Sequence, residues 1–391
     1  MTSLDPCDGN AVAERQGSGP KLTDPDAQYG LRIINMEIVM SRFLAVLSLT
    51  LTPLLACAEE VISVYNWNDY IAPEVLQSFE KESGIRVDYH TYQTSEELEK
   101  LMASGVMMDI AVPSHDALPG LIKTAAIQPL DFTLLPNRQH LDKQLLSKLA
   151  AFDPKNQYAT PYLWGSVGLA INTVEAEKAY GGPLPHSWKL LFDTDQSKRL
   201  ASCGIAVIDA RDEVLSALMM YQGRSLATSP PSQIKRAGAV LEQLRPHLQY
   251  VSSSRYIDDL AKGKLCIALA WVGDALAAHD SGQPIEFVIP DEGSIAFIDS
   301  LVIPKISKRA DLAHRFIDYL MRPKVAAQIT EATLYPSANS DAKAFVDPAI
   351  SALPGLYPDR ATKRRLAALE VMPEKNVVSM DKIWGAFTAP L

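Results

Sequence analysis

The chain has 391 residues, with 46 acidic and 37 basic side chains and a formal net charge of −9 at neutral pH. A net negative charge is unfavourable for binding nucleic acid, so we expect no nucleic-acid partner. The length is sufficient for two compact lobes, each with its own hydrophobic core.

The first 58 residues are expected to be an N-terminal extension followed by a secretory signal peptide. A basic start at Arg42 precedes an apolar run of 14 residues that ends in the small-x-small motif Ala56-Cys57-Ala58. Such a run is too short for a transmembrane helix. We therefore expect translation to start at Met36 or Met40 and the protein to be exported to the periplasm.

The cysteines leave two alternatives open. Leu54-Leu-Ala-Cys57 also fits a lipoprotein signal, in which Cys57 would carry a lipid anchor. After cleavage of a signal only Cys203 and Cys266 remain. An isolated pair in an oxidising compartment favours a disulfide, and the alternative is two unpaired buried thiols.

The rest of the chain alternates short β-patterned runs with amphipathic helical stretches, which indicates an α/β fold with largely parallel pairing. The predicted strands are Val61–Tyr65, Ile85–Tyr92, Asp109–Val112, Leu265–Trp271, Glu286–Ile289 and Phe297–Ile303, and Tyr158–Asn172 is predicted to cross from one lobe to another. The predicted helices are Pro73–Ser83 ended by Gly84, Glu96–Ala103 capped by Ser95, Ile234–Leu244, Ile257–Ala261, Leu312–Leu320 and Val325–Thr333.

An aromatic residue beside a carboxylate is the recurrent motif of this chain. Trp67, Asp69 and Tyr70 follow the first predicted strand. An indole offers a cation–π surface and a carboxylate offers a charge-assisted hydrogen bond, which together suit an organic cation. The alternative is that Trp67 belongs to the core and Asp69 caps a helix.

The same theme returns near the ends of other predicted elements, with Trp271-Val-Gly-Asp274, Phe297-Ile-Asp299 and Tyr335, and with Glu213 on the predicted loop Asp209-Ala-Arg-Asp-Glu213. In open α/β sheets, ligands bind in the crevice at strand ends. Each of these residues could instead be a packing, capping or turn residue. Their repetition at corresponding places favours one shared binding site.

Several catalytic and cofactor motifs are missing from the sequence. It contains no His-Glu-x-x-His pair, no Gly-x-x-x-x-Gly-Lys loop, no Gly-x-Gly-x-x-Gly and no Gly-x-Ser-x-Gly. We therefore expect no metal site, no cofactor and no catalytic residues. A hydrolase that uses paired carboxylates leaves little sequence signature, so an exported hydrolase stays a competing hypothesis.

The chain resembles the polyamine-binding branch of the bacterial extracellular solute-binding proteins of ABC importers. The resemblance runs from about Val61 to Trp384 and is carried by Tyr65-Asn-Trp-Asn-Asp-Tyr-Ile-Ala-Pro73, Val112-Pro-Ser114, Gln128-Pro-Leu-Asp131, Ala159-Thr-Pro-Tyr-Leu-Trp164, Ser202-Cys-Gly204, Cys266-Ile-Ala-Leu-Ala-Trp-Val-Gly-Asp274, Phe297-Ile-Asp299, Tyr319-Leu-Met-Arg-Pro323 and Leu334-Tyr-Pro-Ser-Ala-Asn339.

The resemblance implies a type II periplasmic binding protein, with two α/β lobes and the ligand in the cleft between them. The expected lobes are residues 61–162 with 281–330, and residues 163–280 with 331–391. The two cysteines match a disulfide in the second lobe. The resemblance also implies aromatic walls at Trp67, Trp271, Phe297 and Tyr335, ammonium-binding carboxylates at Asp69, Glu213, Asp274 and Asp299, and further hydrogen bonds from Tyr70 and Ser114.

The sequence departs from the family pattern at two places. Asp116 stands where the family's putrescine binders have a small hydroxyl residue, and Arg211 stands where an uncharged residue is usual. Asp116 is therefore our candidate for a difference in ligand preference. We expect one ammonium near Asp274 and Asp299, and the other near Glu213.

The function implied by the resemblance is capture of a polyamine, with putrescine as the expected ligand, and its delivery to an ABC permease of the inner membrane. We expect a monomer that is not an enzyme. The alternatives are a polyamine sensor that docks a signalling receptor and the exported hydrolase.

Overall fold

The computed structural model describes residues 60–368 and 370–389. The expected signal peptide, the translation start and Cys57 lie outside this range. The strands in it are β1 Glu60–Trp67, β2 Ile85–Tyr92, β3 Ile110–Ala111, β4 Ile127–Gln128, β5 Ala159–Asn172, β6 Ile205–Val207, β7 Tyr250–Val251, β8 Ile267–Trp271, β9 Ile285–Val288, β10 Ser294–Pro304 and β11 Leu366–Ala368.

The strands are interleaved with helices, as the alternating pattern predicts. In chain order the helices are α1 Pro73–Ser83, α2 Ser95–Ser104, α3 Leu118–Lys123, α4 Lys143–Leu149, α5 Thr173–Tyr180, α6 Lys189–Phe192, α7 Thr194–Leu200, α8 Arg211–Tyr221, α9 Pro231–Leu244, α10 Arg255–Ala261, α11 Val272–His279, α12 Ala310–Leu320, α13 Pro323–Thr333, α14 Pro348–Ser351, α15 Arg360–Lys363 and α16 Glu374–Thr388.

The residues that begin and end the helices can mostly be recognised from the neighbouring sequence. Pro73 occupies the first turn of α1, and Gly84 ends that helix in the left-handed conformation with φ 73°. The predicted cap of α2 is wrong by one residue. Thr94, not Ser95, is the N-cap, and its side chain accepts a hydrogen bond from the Glu97 amide.

The strands hydrogen-bond in the order β2-β1-β3-β10-β5-β8-β6-β7, with β11 and β4 on β10 and β9 on β5. The expectation of largely parallel pairing is correct within two groups. Strand β1 is parallel to β2 and β3, and β6 is parallel to β7 and β8. The long central strands β5 and β10 run antiparallel to each other, and β5 is also antiparallel to β8.

Strand β5 joins the two groups, because its partners change along its length. Ala159–Ser166 pairs with β10, whereas the part from Val167 onward pairs with β8 and β9. All 14 of its residues are buried, so the strand runs through the core rather than along an edge. The crossing predicted for this segment is therefore present as one continuous strand.

The second group of strands contains the predicted cysteine pair. Cys203 and Cys266 form a disulfide, with their Cα atoms 5.4 Å apart, which confirms the pairing. It joins the segments just before β6 and β8.

None of the helices in the described part of the chain has the length and hydropathy needed to cross a bilayer.

Candidate functional site

The candidate site is built where the ends of the two strand groups meet around β10. Asp299 lies inside β10, at a register irregularity between Asp299 and Ser300 in the pairing with β5. We predicted the Phe297–Asp299 motif at the start of a strand, but β10 begins three residues earlier at Ser294. Bulges of this kind redirect side chains and are frequent next to functional sites.

Asp299 is held by residues of the first strand group. The Tyr70 hydroxyl donates a hydrogen bond of 2.6 Å to Asp299 Oδ2, and Ser114 forms a β-bridge with Asp299. Only 4% of Asp299 is exposed. Burial raises the pKa of Asp299 to about 7, against the opposing effect of the hydrogen bonds from Tyr70 and Ser114. These contacts fix the carboxylate.

Asp274 is the corresponding carboxylate of the second group. It lies in the first turn of α11, directly after Trp271 and β8. The Tyr335 hydroxyl donates to Asp274 Oδ1 over 3.0 Å, and the Tyr256 hydroxyl donates to Oδ2. Burial raises the pKa of Asp274 to about 6, the two tyrosine hydrogen bonds lower it, and the charge of Asp69 raises it further. Both carboxylate oxygens therefore have a tyrosine partner.

Three aromatic rings connect the two carboxylates. Tyr335 makes edge contacts with Tyr70 and with Phe297, at ring-centroid distances of 5.2 and 5.9 Å. Tyr335 is 6% exposed and Phe297 is 7% exposed. The rings therefore form a buried aromatic wall between Asp274 and Asp299.

Two glycines make room for this wall. A Cβ atom at Gly273 would lie 2.3 Å from the Tyr335 ring, and one at Gly165 would lie 2.5 Å from the Phe297 ring. Such distances are far below normal van der Waals contact. Glycine is therefore required at both places for the rings to pack closely against the backbone.

Trp67 forms another part of the site from the end of β1. Its Nε1 donates to the Val112 carbonyl over 2.9 Å, and its ring lies 4.7 Å from that of Tyr92. The Tyr92 hydroxyl donates to the same carbonyl over 2.6 Å. This backbone oxygen, two residues before Ser114, thus orients two aromatic side chains.

Asp69 is the exposed member of the predicted set, and Trp271 is one of its half-buried members. Asp69 is exposed and has a φ of 53°, a conformation that non-glycine residues adopt only rarely. Trp271 is half-buried and occupies the N-cap position of α11. The alternative that Asp69 caps helix α1 is wrong, because the N-cap of α1 is Ala72.

A cluster of acidic residues surrounds Asp299. Glu213 was expected on a loop but lies in the first turn of α8, and Asp116 lies in a short 3₁₀ helix, His115–Ala117. Burial, followed by the charges of Asp212 and Asp116, raises the pKa of Glu213 to about 8. Burial and then Asp212 raise the pKa of Asp116 to about 6. We call Asp116, Glu213 and Asp299 the acidic cluster.

The charges around the two carboxylates differ. The charge of Asp69 raises the pKa of Asp274, whereas that of Asp116 raises the pKa of Asp299, and Asp299 in turn raises that of Glu213. Asp274 and Asp299 both act on Tyr335, whose ring lies between them. Which of these carboxylates share one ammonium stays a prediction.

Three residues of the site were missed in the sequence. Tyr256 and Tyr92 carried no distinguishing signal, because a single tyrosine in an α/β pattern is most often a packing residue. Asp212 lies next to Glu213 in the segment Asp209-Ala-Arg-Asp-Glu213, and it could have been included in the predicted site because of its charge.

Within residues 60–368 and 370–389, no group of His, Cys, Asp and Glu side chains could hold a metal ion.

The fold and the site define a class of protein before any comparison. Two groups of strands joined by the continuous strand β5, with an acidic and aromatic site at their junction, are typical of a two-lobed binding protein for a small cationic ligand. A family profile of bacterial extracellular solute-binding proteins matches residues 74–358. The chain belongs to this family.

Characterised relatives agree with this assignment over most of the chain. The putrescine-binding periplasmic protein SpuD of Pseudomonas aeruginosa is 36% identical over 337 residues, which covers 84% of this chain and 92% of the relative. The putrescine-binding periplasmic protein PotF of Escherichia coli is 36% identical over 339 residues, with the same coverage of both chains.

Solved structures confirm the predicted fold class. The spermidine/putrescine ABC transporter substrate-binding protein PotD of Streptococcus pneumoniae superposes with a TM-score of 0.72 at 26% identity, over 84% of this chain and 98% of that chain. The type II fold with two α/β lobes, implied by the resemblance, is therefore the fold of this protein.

Proposed function

We propose that the protein is an exported solute-binding protein that captures a linear polyamine, putrescine above all, and delivers it to an ABC permease. The observation that carries this proposal is the pair of acidic ends joined by an aromatic wall, one at the buried Asp299 and the other at the half-buried Asp274. An uncompensated buried carboxylate is costly, and an ammonium group is the partner that such a site lacks. The names of the relatives SpuD and PotF support the same ligand class.

The geometry supports a specific pose for a short diamine. One ammonium would bind at Asp274 and Asp69, and the other at Asp299 and Glu213. The methylene chain would lie against the rings of Trp67, Trp271, Phe297 and Tyr335. Tyr70 and Ser114 hold Asp299 in place by the contacts described above, so their contribution is partly to orient the carboxylate. Charge-assisted hydrogen bonds contribute about 1.5–3 kcal/mol each, and desolvated cation–π contacts about 2 kcal/mol.

We propose that the strand groups correspond to two lobes that close on the ligand. The change of partners along β5 supports lobes near the predicted bounds of residues 61–162 with 281–330, and 163–280 with 331–391. Two segments fit the other lobe better than the lobe to which the sequence-based bounds assign them. Strand β9 pairs with the second half of β5, and residues around Ala338 hydrogen-bond with Tyr162 and Asp142 of the first lobe.

Closure would follow from contacts that are divided between the lobes. Asp299 and Tyr70 belong to the first lobe and Asp274 and Glu213 to the second, so a bound diamine interacts fully only when the lobes are together. Ligand then shifts the population toward the closed state. Small-angle scattering should show a smaller radius of gyration with saturating diamine. An unchanged profile, with binding measured separately, would contradict the hinge.

The location and partners follow from the family and are part of the proposal. The family consists of extracellular solute-binding proteins, which supports the periplasm as the compartment and an inner-membrane ABC permease as the partner. We further propose that the protein acts as a monomer. Membership in a family of binding proteins also favours transport over the exported-hydrolase hypothesis.

The proposal is tested by calorimetry of the processed protein with putrescine, cadaverine, agmatine, spermidine and spermine. We expect binding of at least one diamine, with putrescine tightest. An amino acid of similar length with a carboxylate at one end serves as the control, because its negative charge would face one acidic end. Absence of heat with all five amines would overturn the proposed function.

A further inference from the structure

Arg211 places a fixed positive charge at the edge of the acidic cluster. It is the first residue of α8, two positions before Glu213. Its Nε donates a hydrogen bond of 2.6 Å to Asp212 Oδ1, and its Nη1 donates to Asp381 Oδ1. The Arg211 side chain is 23% exposed and that of Asp212 is 21% exposed. This ion pair is thus partly shielded from solvent.

Asp212 is electrostatically part of the same region as the acidic cluster. Its charge is the largest neighbouring contribution to the raised pKa values of Asp116 and Glu213, after burial. An unpaired Asp212 would therefore add a fourth negative charge beside Asp116, Glu213 and Asp299. The guanidinium of Arg211 offsets this charge.

The C-terminal helix also contacts Arg211 and its surroundings, while the Arg211–Asp212 pair itself is made within α8. Asp381 of α16 accepts the second hydrogen bond from the guanidinium, and Trp384 of the same helix donates from Nε1 to Asp209 Oδ1 over 3.2 Å. Burial would lower the pKa of Arg211, but hydrogen bonds and charges of Asp212 and Asp381 outweigh it and raise the pKa. The positive charge is therefore constant at all physiological pH values.

We propose that Arg211 is a specificity-determining residue, which limits the ligand charge accepted at the acidic cluster and so favours a linear diamine over a triamine. The inference rests on the proposed function. A triamine carries one more ammonium than a diamine, so it gains more from each uncompensated negative charge near its path. By offsetting part of the Asp212 charge, which still acts on Asp116 and Glu213, Arg211 weakens an attraction that would favour the longer and more highly charged amine.

The test measures dissociation constants for putrescine and spermidine by calorimetry in low-salt buffer, for the wild-type protein and for Arg211→Gln. We expect the ratio of the spermidine constant to the putrescine constant to fall at least fivefold in R211Q. Addition of Asp212→Asn to R211Q removes the uncompensated charge and should restore the wild-type ratio. The single variant Asp212→Asn leaves Arg211 without this partner and should weaken spermidine more than putrescine.

Two control variants test whether a change in the amine ratio comes from charge at the acidic cluster or from another effect of the substitution. Arg224→Gln removes the same charge from an exposed position after α8 and should leave the ratio unchanged. Asp381→Asn releases the C-terminal helix but keeps the Arg211–Asp212 pair, so it should also leave the ratio unchanged.

The outcomes distinguish this inference from the proposed function. A wild-type protein that binds neither amine contradicts the function itself. A wild-type protein that binds putrescine, with the same amine ratio in R211Q and D212N as in the wild type, overturns the role of Arg211 alone. A change of the ratio in D381N equal to that in R211Q would also overturn it, because the effect would then come from the helix.

Discussion

Asp274 and Asp299 are both carboxylates that accept tyrosine hydroxyls, yet their surroundings differ. Asp274 has a tyrosine on each oxygen, and the neighbouring charge that affects it is the exposed Asp69. Asp299 has Tyr70 on one oxygen and lies with Asp116 and Glu213 in the acidic cluster. One end thus has a carboxylate with two tyrosine hydrogen bonds and one exposed acidic neighbour, whereas the other end has three carboxylates close together.

The difference indicates a division of roles between the two ends. In the proposed pose the Asp274 end binds one ammonium, and its two oxygens are already oriented by hydrogen bonds. When fully ionised, the acidic cluster carries three negative charges, which is more than one ammonium neutralises. Its pKa values are raised to about 6, 7 and 8, so its charge changes with pH near neutrality, and its preference depends on the charge of the ligand. Each prediction below tests one side of this comparison.

The largest expected effect is that of pH on the acidic cluster. A dication binds best to ionised carboxylates, and the pKa values of Glu213 and Asp299 are raised to about 8 and about 7. Both groups take up protons as the pH falls from 8 to 6, so putrescine affinity should fall by about thirtyfold or more. Calorimetry at both pH values measures this change, with putrescine itself doubly charged throughout.

The control for this prediction is Glu213→Gln, which removes the group with the highest of these pKa values. The variant should bind putrescine more weakly at pH 8 and should lose less affinity on acidification than the wild type. Equal dissociation constants at pH 6 and pH 8 in the wild-type protein would show that the cluster does not titrate in this range.

Stability of the ligand-free protein should change in the opposite direction. A carboxyl whose pKa is raised by folding stabilises the folded state below its unfolded pKa, and this contribution is lost as the pH rises through the folded pKa. The folded values of about 6 for Asp116, about 7 for Asp299 and about 8 for Glu213 set the window. Melting without ligand should therefore occur at higher temperature at pH 5.5 than at pH 8, with the ligand-induced shift smaller at pH 5.5.

At the other end, Asp274→Asn should weaken putrescine binding about tenfold or more, since each 1.4 kcal/mol is a factor of ten. The substitution keeps the shape and one oxygen for a tyrosine hydroxyl but removes the charge that holds the ammonium. Asp258→Asn, at an exposed position on α10, is the matched control and should have no effect. A wild-type constant in D274N would mean that this end does not bind an ammonium.

The sequence was most informative where structure is determined locally. Helix α1 was predicted with its observed bounds, because Pro73 and Gly84 determine its ends without help from the rest of the fold. The aromatic and acidic residues of the site were also identified, because their repetition near the ends of predicted strands can be recognised in the sequence itself. Trp67, Asp274 and Asp299 are examples, and the structure brings all three to the junction of the strand groups.

Other features of the site could be recognised only from the tertiary structure. Helix α8 was missed because Val214–Met219 is buried at every position, so the helix has no polar face and no amphipathic period. Glu213 was therefore expected on a loop. The division of the carboxylates into two ends depends on which lobe each strand joins, and the change of partners along β5 is not encoded in any short segment.

A smaller effect is expected from the packing around Tyr335, which belongs to the Asp274 end. Gly273→Ala would place a methyl 2.3 Å from the Tyr335 ring. The ring must move, so the substitution should destabilise the protein by about 1 kcal/mol, the low end of the range for overpacking, because one side chain can yield. Thermal unfolding measures the loss. Gly120→Ala, at a helical position with nothing within 4 Å, should cause none.

The smallest expected effect concerns Asp116, the member of the acidic cluster that departs from the family pattern. Its carboxyl adds charge beside Asp299, which would favour an amine with more positive charge or a guanidinium group at this end. Asp116→Ser removes that charge and should shift preference toward putrescine by about threefold relative to spermidine and agmatine, which corresponds to less than 1 kcal/mol. Arg211 and Asp116 would then act in opposite directions on the same choice, since one offsets negative charge and the other supplies it. Competition among the five amines in wild type and D116S measures the shift. An unchanged ranking, with binding otherwise intact, would show that Asp116 does not influence specificity and that the two ends differ only in how their carboxylates are held.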